Sequence, residues 1–179
     1  MSAIASHNRS NLRRKVRLDR DRWVSIRPIE RTDAPGLSDF YARLSTESSR
    51  RRFLSYGRQV PMDLIVTFAE GTGLVGTLGE AGPNDGAVVA HASVDADGHG
   101  GGEVAFAVAD DLQGHGIGSA LMQQVVEIAR ERGLRRLVAT MFADNTPMRR
   151  LLRAAGCVVI ADQIDAGTEE ITLGVAATA

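Results

Sequence analysis

Between residues 103 and 122 the chain reads as a strand, a short turn, a loop carrying Gly114, Gly116 and Gly118, and then at once an amphipathic helix. That order constrains the fold more than any other segment. The first turn of a helix carries unpaired N–H groups and about half a positive charge. Glycines immediately before it let an anion sit against the main chain without meeting a Cβ. The loop therefore suits a pyrophosphate.

Three loop types have this general form. A Walker loop needs a lysine after its last glycine, and the only lysine in the chain is Lys15. A dinucleotide fingerprint spaces its glycines Gly-x-Gly-x-x-Gly and wants an acidic residue ending the second strand. Here the spacing is Gly114-x-Gly116-x-Gly118, and the strand expected at 135–141 ends without an acid. What remains is Gln-x-x-Gly-x-Gly, from Gln113 to Gly118. About thirty residues on, a short helix has both ends marked. Asn145 or Thr146 can cap it, Pro147 suits its first position, and Gly156 suits a left-handed stop. Met148, Leu151, Leu152 and Ala155 form its apolar stripe.

These two motifs resemble, respectively, the acyl-CoA pyrophosphate loop of the GNAT superfamily of N-acetyltransferases and the Asn-opened helix that closes its CoA site. A third segment, Leu44-Ser-Thr-Glu-Ser-Ser-Arg-Arg-Arg-Phe53, is similar to a Leu-Ser-x-x-Ser-x-x-x-Arg-Phe stretch in bacterial protein lysine acetyltransferases. Some of those carry a cyclic-nucleotide-binding domain, for which this sequence has no room, so that regulation is not expected. The resemblance implies a mixed α/β GNAT fold. Its central, mostly antiparallel sheet has about six to seven strands, splays at the acyl-CoA site, and is flanked by about four helices.

Element by element, the chain supports that order over residues 22–176. Strands are expected at 23–28, 73–78, 87–94, 103–108, 135–141, 157–163 and 169–175, and a turn at 82–86. Helices are expected from Thr32 or Asp33 to Leu44, at 45–54 with Ser45 as a cap, as a turn or two at 61–68, and at 117–132. Residues 1–21 are polar, basic and without periodicity, and read as a mobile arm preceding a single domain at 22–179. No apolar run approaches the roughly 20 residues a bilayer demands, and no signal-peptide core is present. One cysteine, Cys157, cannot form an internal disulfide and reads as a packing residue. A cytoplasmic location without membrane contact follows as the expectation.

The net charge of −1 hides an asymmetry. Residues 1–58 hold 14 basic and 6 acidic side chains, whereas residues 59–179 hold 7 and 16. An acidic second half favours a cationic amine by long-range attraction. The basic arm lacks interleaved aromatics and contains Asp19 and Asp21, so nucleic acid is not the expected partner. A homodimer is left open.

Acetyl transfer needs a neutral nitrogen. A lysine of pKa about 10.4 is neutral in only about 4 molecules in 10,000 at pH 7, a handicap of roughly 4.6 kcal/mol. In the family, the position of Glu103 often carries the general base, acting directly or through water. The competing reading is a solvent-facing strand-end glutamate. His91, on the neighbouring strand, and His99 are weaker candidates, and His91 can instead pack or hold a water. The resemblance places the cofactor acetyl-CoA against Phe106, Ala107 and Val108, with main-chain N–H groups around Ala107 and Val108 expected to meet the acyl oxygen. Its pyrophosphate falls to Gln113, Gly114, His115, Gly116, Ile117, Gly118 and Ser119, and Asn145 closes the site. No metal is expected. His115 stands where Arg or Lys is frequent, so binding is expected to strengthen below about pH 6.5. No tyrosine follows Tyr56, which leaves the thiolate to depart unaided or with a proton from water. Protein lysine is the leading acceptor. A small amine and a non-catalytic acyl-CoA-binding domain are the alternatives.

Overall fold

The computed structural model describes residues 12–55, 60–79 and 86–176. Eight strands form one sheet: β1 (Arg14–Arg17), β2 (Trp23–Pro28), β3 (Gly73–Gly79), β4 (Val88–Ala96), β5 (Gly101–Val108), β6 (Arg136–Phe142), β7 (Val158–Asp165) and β8 (Thr168–Gly174). Their order across the sheet is β1-β2-β3-β4-β5-β6-β8-β7, and every neighbouring pair is antiparallel except β5 with β6. Five α-helices flank it: α1 (Ala34–Arg43), α2 (Thr46–Phe53), α3 (Met62–Glu70), α4 (Ile117–Glu131) and α5 (Thr146–Arg153). The mixed α/β architecture is the one expected, with one strand and one helix more than the upper counts.

Two apolar layers form because the strands alternate. Ala90, Ala92, Val94 and Val104 on one face join Leu121, Val125 and Ile128 of α4 and Leu152 of α5. Val75 and Ala107, on the other face, join Leu37, Phe40 and Tyr41 of α1 and Ile65 of α3. A β-bulge opposite Gly76 and Thr77 turns Val88 to the α1 side, while Ala90 faces α4.

The added strand corrects the expected mobile arm, in so far as its residues are described. β1 pairs with β2 from Arg14↔Ile26 to Arg17↔Trp23, and the Arg14 guanidinium donates to Oε1 of Gln123 on α4. The physical cause is a period-two pattern hidden beneath the charge. Leu12 is buried in the main core and Val16 and Leu18 pack against it, while Arg13, Lys15 and Arg17 point to solvent. Residues 1–11 and most of the turn expected at 82–86 lie outside the described residues.

One feature of the sheet positions everything else. β5 and β6 pair only at Gly101↔Arg136, Gly102↔Leu137 and Glu103↔Val138, then part. Beyond Glu103 the two strands diverge and leave the β6-facing edge of β5 unpaired.

Candidate active site

The divergence opens a cavity of about 630 Å³. Its walls are β5 from Val104 to Val108, the loop and first turn of α4, Thr140 and Met141 of β6, α5, and the outer face of α2. Of the residues singled out in the sequence, Phe106, Ala107, Val108, Gln113, Gly114, Gly116, Ile117, Gly118, Ser119 and Asn145 line this one space. Glu103 and His115 stand outside its lining.

Main-chain direction along β5 follows from strand alternation. Ala109 N–H donates to Val89 O, and Asp97 N–H donates to Gly101 O, so the odd-numbered groups address β4. Arg135 N–H donates to Gly100 O, and Gln113 Nε2 donates to Val108 O, so the even-numbered groups address the β6 side. The Val104 amide makes the last ladder bond, flanking the Glu103↔Val138 pair, and the amides turned into the cleft beyond it are those of Phe106 and Val108. The Ala107 amide, expected among the acyl-oxygen donors, turns towards β4.

Past Gln113, whose N–H donates to Asp110 O, the loop runs through two left-handed glycines. Gly114 and Gly116 have φ of +81° and +83°, a region that strains any residue with a Cβ. Gly116 stands at the N-cap of α4 without a capping side chain, and the first helical bond runs from Ala120 N–H to Gly116 O. The amides of Ile117, Gly118 and Ser119 therefore lack intrahelical partners at the mouth of a 15-residue helix. His115 departs from expectation. Its Nδ1 lies 3.3 Å and 3.1 Å from the carbonyls of Leu112 and Gln113 and must donate, so the ring folds back on its own loop. A pH effect through His115 has no direct contact in the cavity to act on.

The helix α2 is tied to this loop by a clasp that pattern reading missed. Asp110 accepts from Ser45 N–H at 2.9 Å, Ser45 Oγ at 2.6 Å and Ser48 Oγ at 2.6 Å. Burial opposes ionisation of Asp110, but these hydrogen bonds outweigh it and hold the carboxyl below its usual range. Gln113 Nε2 adds a bond to Ser48 Oγ at 3.2 Å. Ser45 also caps α2, accepting from Ser48 N–H at 3.1 Å. The Ser-x-x-Ser spacing was the available signal, since it puts both hydroxyls at one helix end. On the far wall Asn145 caps α5, accepting from Met148 N–H at 3.2 Å.

Glu103 sits where β5 and β6 part, exposed, on the same face as Ala105 and Ala107 and directly across from Asp95. The carboxylates that do line the cavity are engaged elsewhere. Hydrogen bonds from Arg50 and then Arg51 hold Glu47 down to about 2, and Asp110 is clasped. His91 is buried, its Nδ1 2.7 Å from the Tyr41 hydroxyl. Burial, with the nearby Arg52 charge, pushes its pKa down to about 3, so it is a neutral packing group. His99 lies in the exposed β4–β5 turn, its N–H bonded to Asp97.

Residues 38–157 match the Acetyltransferase (GNAT) family. The chain belongs to this family. GNAT enzymes are acetyl-CoA-dependent N-acetyltransferases, and the splayed strand, free helix N-terminus and Asn-capped helix fit that co-substrate. The chain is 32% identical to Acetyltransferase Pat of Mycolicibacterium smegmatis over 155 residues, which is 83% of this chain and 45% of that protein. It thus spans less than half the length of that relative. It is 29% identical to Acetyltransferase PA5475 of Pseudomonas aeruginosa over 147 residues, 79% of this chain and 78% of that one. The GNAT domain of S. lividans PAT superposes with a TM-score of 0.78 at 28% identity, covering 92% of this chain and 98% of that domain. No described helix is long and apolar enough to cross a membrane.

The loop geometry sets a direct test. Gly116→Val places a β-branched residue at φ +83°, at a cost of roughly 1–2 kcal/mol or a shift of the loop that turns its amides away. The expected result is a Kd for CoA about 10-fold or more above wild type by titration calorimetry. An unchanged Kd would show that the loop does not hold the co-substrate.

Proposed function

We propose that this chain moves an acetyl group from acetyl-CoA to a primary amine by direct attack, with Glu103 as general base through a water. The observation that carries the reading is the parting of β5 and β6 immediately after Glu103, opposite a helix N-terminus with free amides. The co-substrate supplies an acyl carbon already activated by its thioester. The chain's residues supply the rest. The loop amides and the α4 dipole bind the pyrophosphate, and Asn145 and Met148 bound the opposite side. The amides of Phe106 and Val108 face the cleft, where they can pair with the co-substrate's amide-bearing arm and meet charge developing on the acyl oxygen.

The acceptor arrives as an ammonium, drawn by Glu103 and Asp95 side by side. One proton passes to the water held by Glu103, the nitrogen bonds to the acyl carbon, the carbon–sulfur bond breaks, and the nitrogen releases its second proton to solvent. The thiolate departs and takes a proton from solvent, as no tyrosine follows Tyr56. Consecutive side chains on one face of a strand stand about 6.8 Å apart, so an exposed Glu103 acts on a nitrogen beside Ala105 through one intervening water.

Protein lysine in the cytoplasm is the acceptor supported by the likeness of residues 44–53 to bacterial protein lysine acetyltransferases. A small amine is the second reading; Arg52 lines the cavity wall with its Nε lacking a hydrogen-bond partner, while a terminal nitrogen donates to Ser93 Oγ. Free-thiol release from acetyl-CoA, measured with a lysine-peptide pool and an amine panel, tests the activity. Release that requires an added amine is expected. Tight CoA binding without amine-dependent release would instead make the chain a sensing or binding domain.

A further inference from the structure

Burial alternates along the second half of the sheet and leaves one of its two faces uncovered. On β6 and β8 the side chains turned towards α4 and α5, such as Leu137, Ala139, Ile171 and Leu173, are buried, whereas Val138, Thr172 and Glu170 on the other face are not. On that second face α1 and α3 cover Val75, Val88 and Ala107, and α2 meets β6 where Arg50 lies over Phe142, 4.1 Å from the ring centre. β7 extends the uncovered part. Ala161 pairs with Thr172 and Val158 with Gly174, and the bulge between them aims Ile160 the same way, its Cγ2 3.3 Å from where a Cβ on Gly174 would stand. Val158 is 70% exposed and Ile160 57%. Edge strands are commonly guarded by charge or cover, so an apolar strip left open here marks a contact surface.

This face is continuous with the base. Paired residues share a face, so Asp95, Glu103, Val138, Thr172 and Ala161 form one row from β4 to β7. Two residues nearer the cavity on β4, Ser93 is buried and bonded to Arg52 of α2, so the helical cover ends at this row. From β5 to β7 is three strand spacings, about 14 Å, which an extended segment spans in about four residues. Glu103, Asp95 and Glu170 are exposed and form no ion pair among the described residues. Unpaired carboxylates beside an apolar strip select a partner that is both cationic and apolar. A second copy seated here would bring two sets of those carboxylates to one interface, which like-charge repulsion opposes. Resting on the acetyltransferase reading above, we propose that the acceptor lysine belongs to a protein segment lying extended across this face. Its ammonium meets Glu103, an apolar side chain about four residues away packs on Val158 and Ile160, and neighbouring cations face Asp95 and Glu170. A small free amine would occupy the inner end of the row and use none of the rest.

The test measures kcat/KM by thiol release for lysine-centred peptides and for a capped single lysine. The peptides carry leucine or serine about four positions from the lysine on either side, and arginine or glutamine next to it. Wild type is compared with Thr172→Arg, Ile160→Ser and Glu170→Gln, with melting temperature, CoA affinity and molecular mass by light scattering measured alongside. In the wild type the peptide with leucine and arginine is expected to exceed capped lysine by roughly 10- to 100-fold, mostly through KM. Thr172→Arg should remove about 10-fold or more of that advantage, and Ile160→Ser should abolish the leucine preference. Glu170→Gln should weaken the arginine preference by about two- to threefold, as suits an exposed pair. Capped lysine turnover and CoA affinity should stay within about twofold, since neither reaches this face. Peptides no better than capped lysine, or an advantage that survives both Thr172→Arg and Ile160→Ser in folded protein, overturn the proposal and leave the acetyltransferase reading standing. A wild-type dimer that Thr172→Arg splits into active monomers assigns the face to a second copy and also overturns it. Absence of thiol release with every amine, at intact CoA affinity, removes the acetyltransferase reading itself and the proposal with it.

Discussion

Glu103→Gln lowers amine-dependent thiol release by about 100-fold or more at pH 7 while leaving the affinity for acetyl-CoA within about twofold of wild type. The separation of the two quantities is the point of the experiment. Glu103 lies at the last paired position of β5 with β6, before the cavity begins, and touches none of the loop that holds the pyrophosphate. Gln preserves the shape and a hydrogen-bond acceptor but cannot take a proton, so a loss confined to kcat isolates proton removal. The size follows from the amine handicap of roughly 4.6 kcal/mol for a lysine-like acceptor, of which a positioned base typically recovers 10²–10⁴ in rate. Asp95 is the necessary companion, since it faces Glu103 across the β4–β5 ladder and is equally exposed. Asp95→Asn should cost less than about 10-fold, because only Glu103 adjoins both β6 and the parting strands. If the Asp95 variant loses more than the Glu103 variant, the base has been assigned to the wrong strand. If neither loses activity, the acceptor is already neutral at pH 7 and no base is required.

What could be read in the sequence was local. The alternation of 103–108, the glycines of the loop and the apolar face of α4 each lie within one element and its cap. Together with the family resemblance they placed nine of the residues that now share a cavity. Asn145 as the cap of α5 was legible for the same reason, because the acceptor side chain and the donor amide are three residues apart. β1 escaped because charge dominated its composition, although Leu12, Val16 and Leu18 fall on alternate positions facing the core. The clasp between Ser45, Ser48 and Asp110 spans more than sixty residues, and no periodicity reports such a contact. The same holds for Arg52 and Ser93, which are 41 residues apart. Strand patterning also says which face a side chain takes but not where a neighbouring strand stops pairing. The parting of β5 from β6, on which the site depends, is therefore visible only in three dimensions.

Arg149→Met should lower the melting temperature by roughly 5 °C at pH 7, with the deficit shrinking as the pH is lowered towards 4. Glu169 is almost wholly buried on β8, opposite Met141, and accepts hydrogen bonds from Arg149 Nε to both carboxylate oxygens at 2.9 Å. Those bonds, against the opposing effect of burial, hold the Glu169 carboxyl below its usual range. In the wild type this stabilisation is complete above the unfolded pKa of about 4.3 and is lost as pH falls through the lower folded value. Removing Arg149 reverses the sign. A buried carboxylate without its partner resists ionisation, its folded pKa moves above about 4.3, and stability is lost as pH rises through that window. Below it Glu169 is neutral in both states of the variant, and most of the penalty disappears. Because Arg149 also donates to Ala143 O at 2.5 Å, two residues before Asn145, the variant should raise KM for acetyl-CoA by loosening the cap of α5. The double variant Arg149→Met with Glu169→Leu removes the stranded charge and should recover much of the melting temperature at pH 7 without recovering KM. A deficit of constant size from pH 4 to pH 8 would show that Arg149 contributes packing alone, and the electrostatic account of this wall of the cavity would fail.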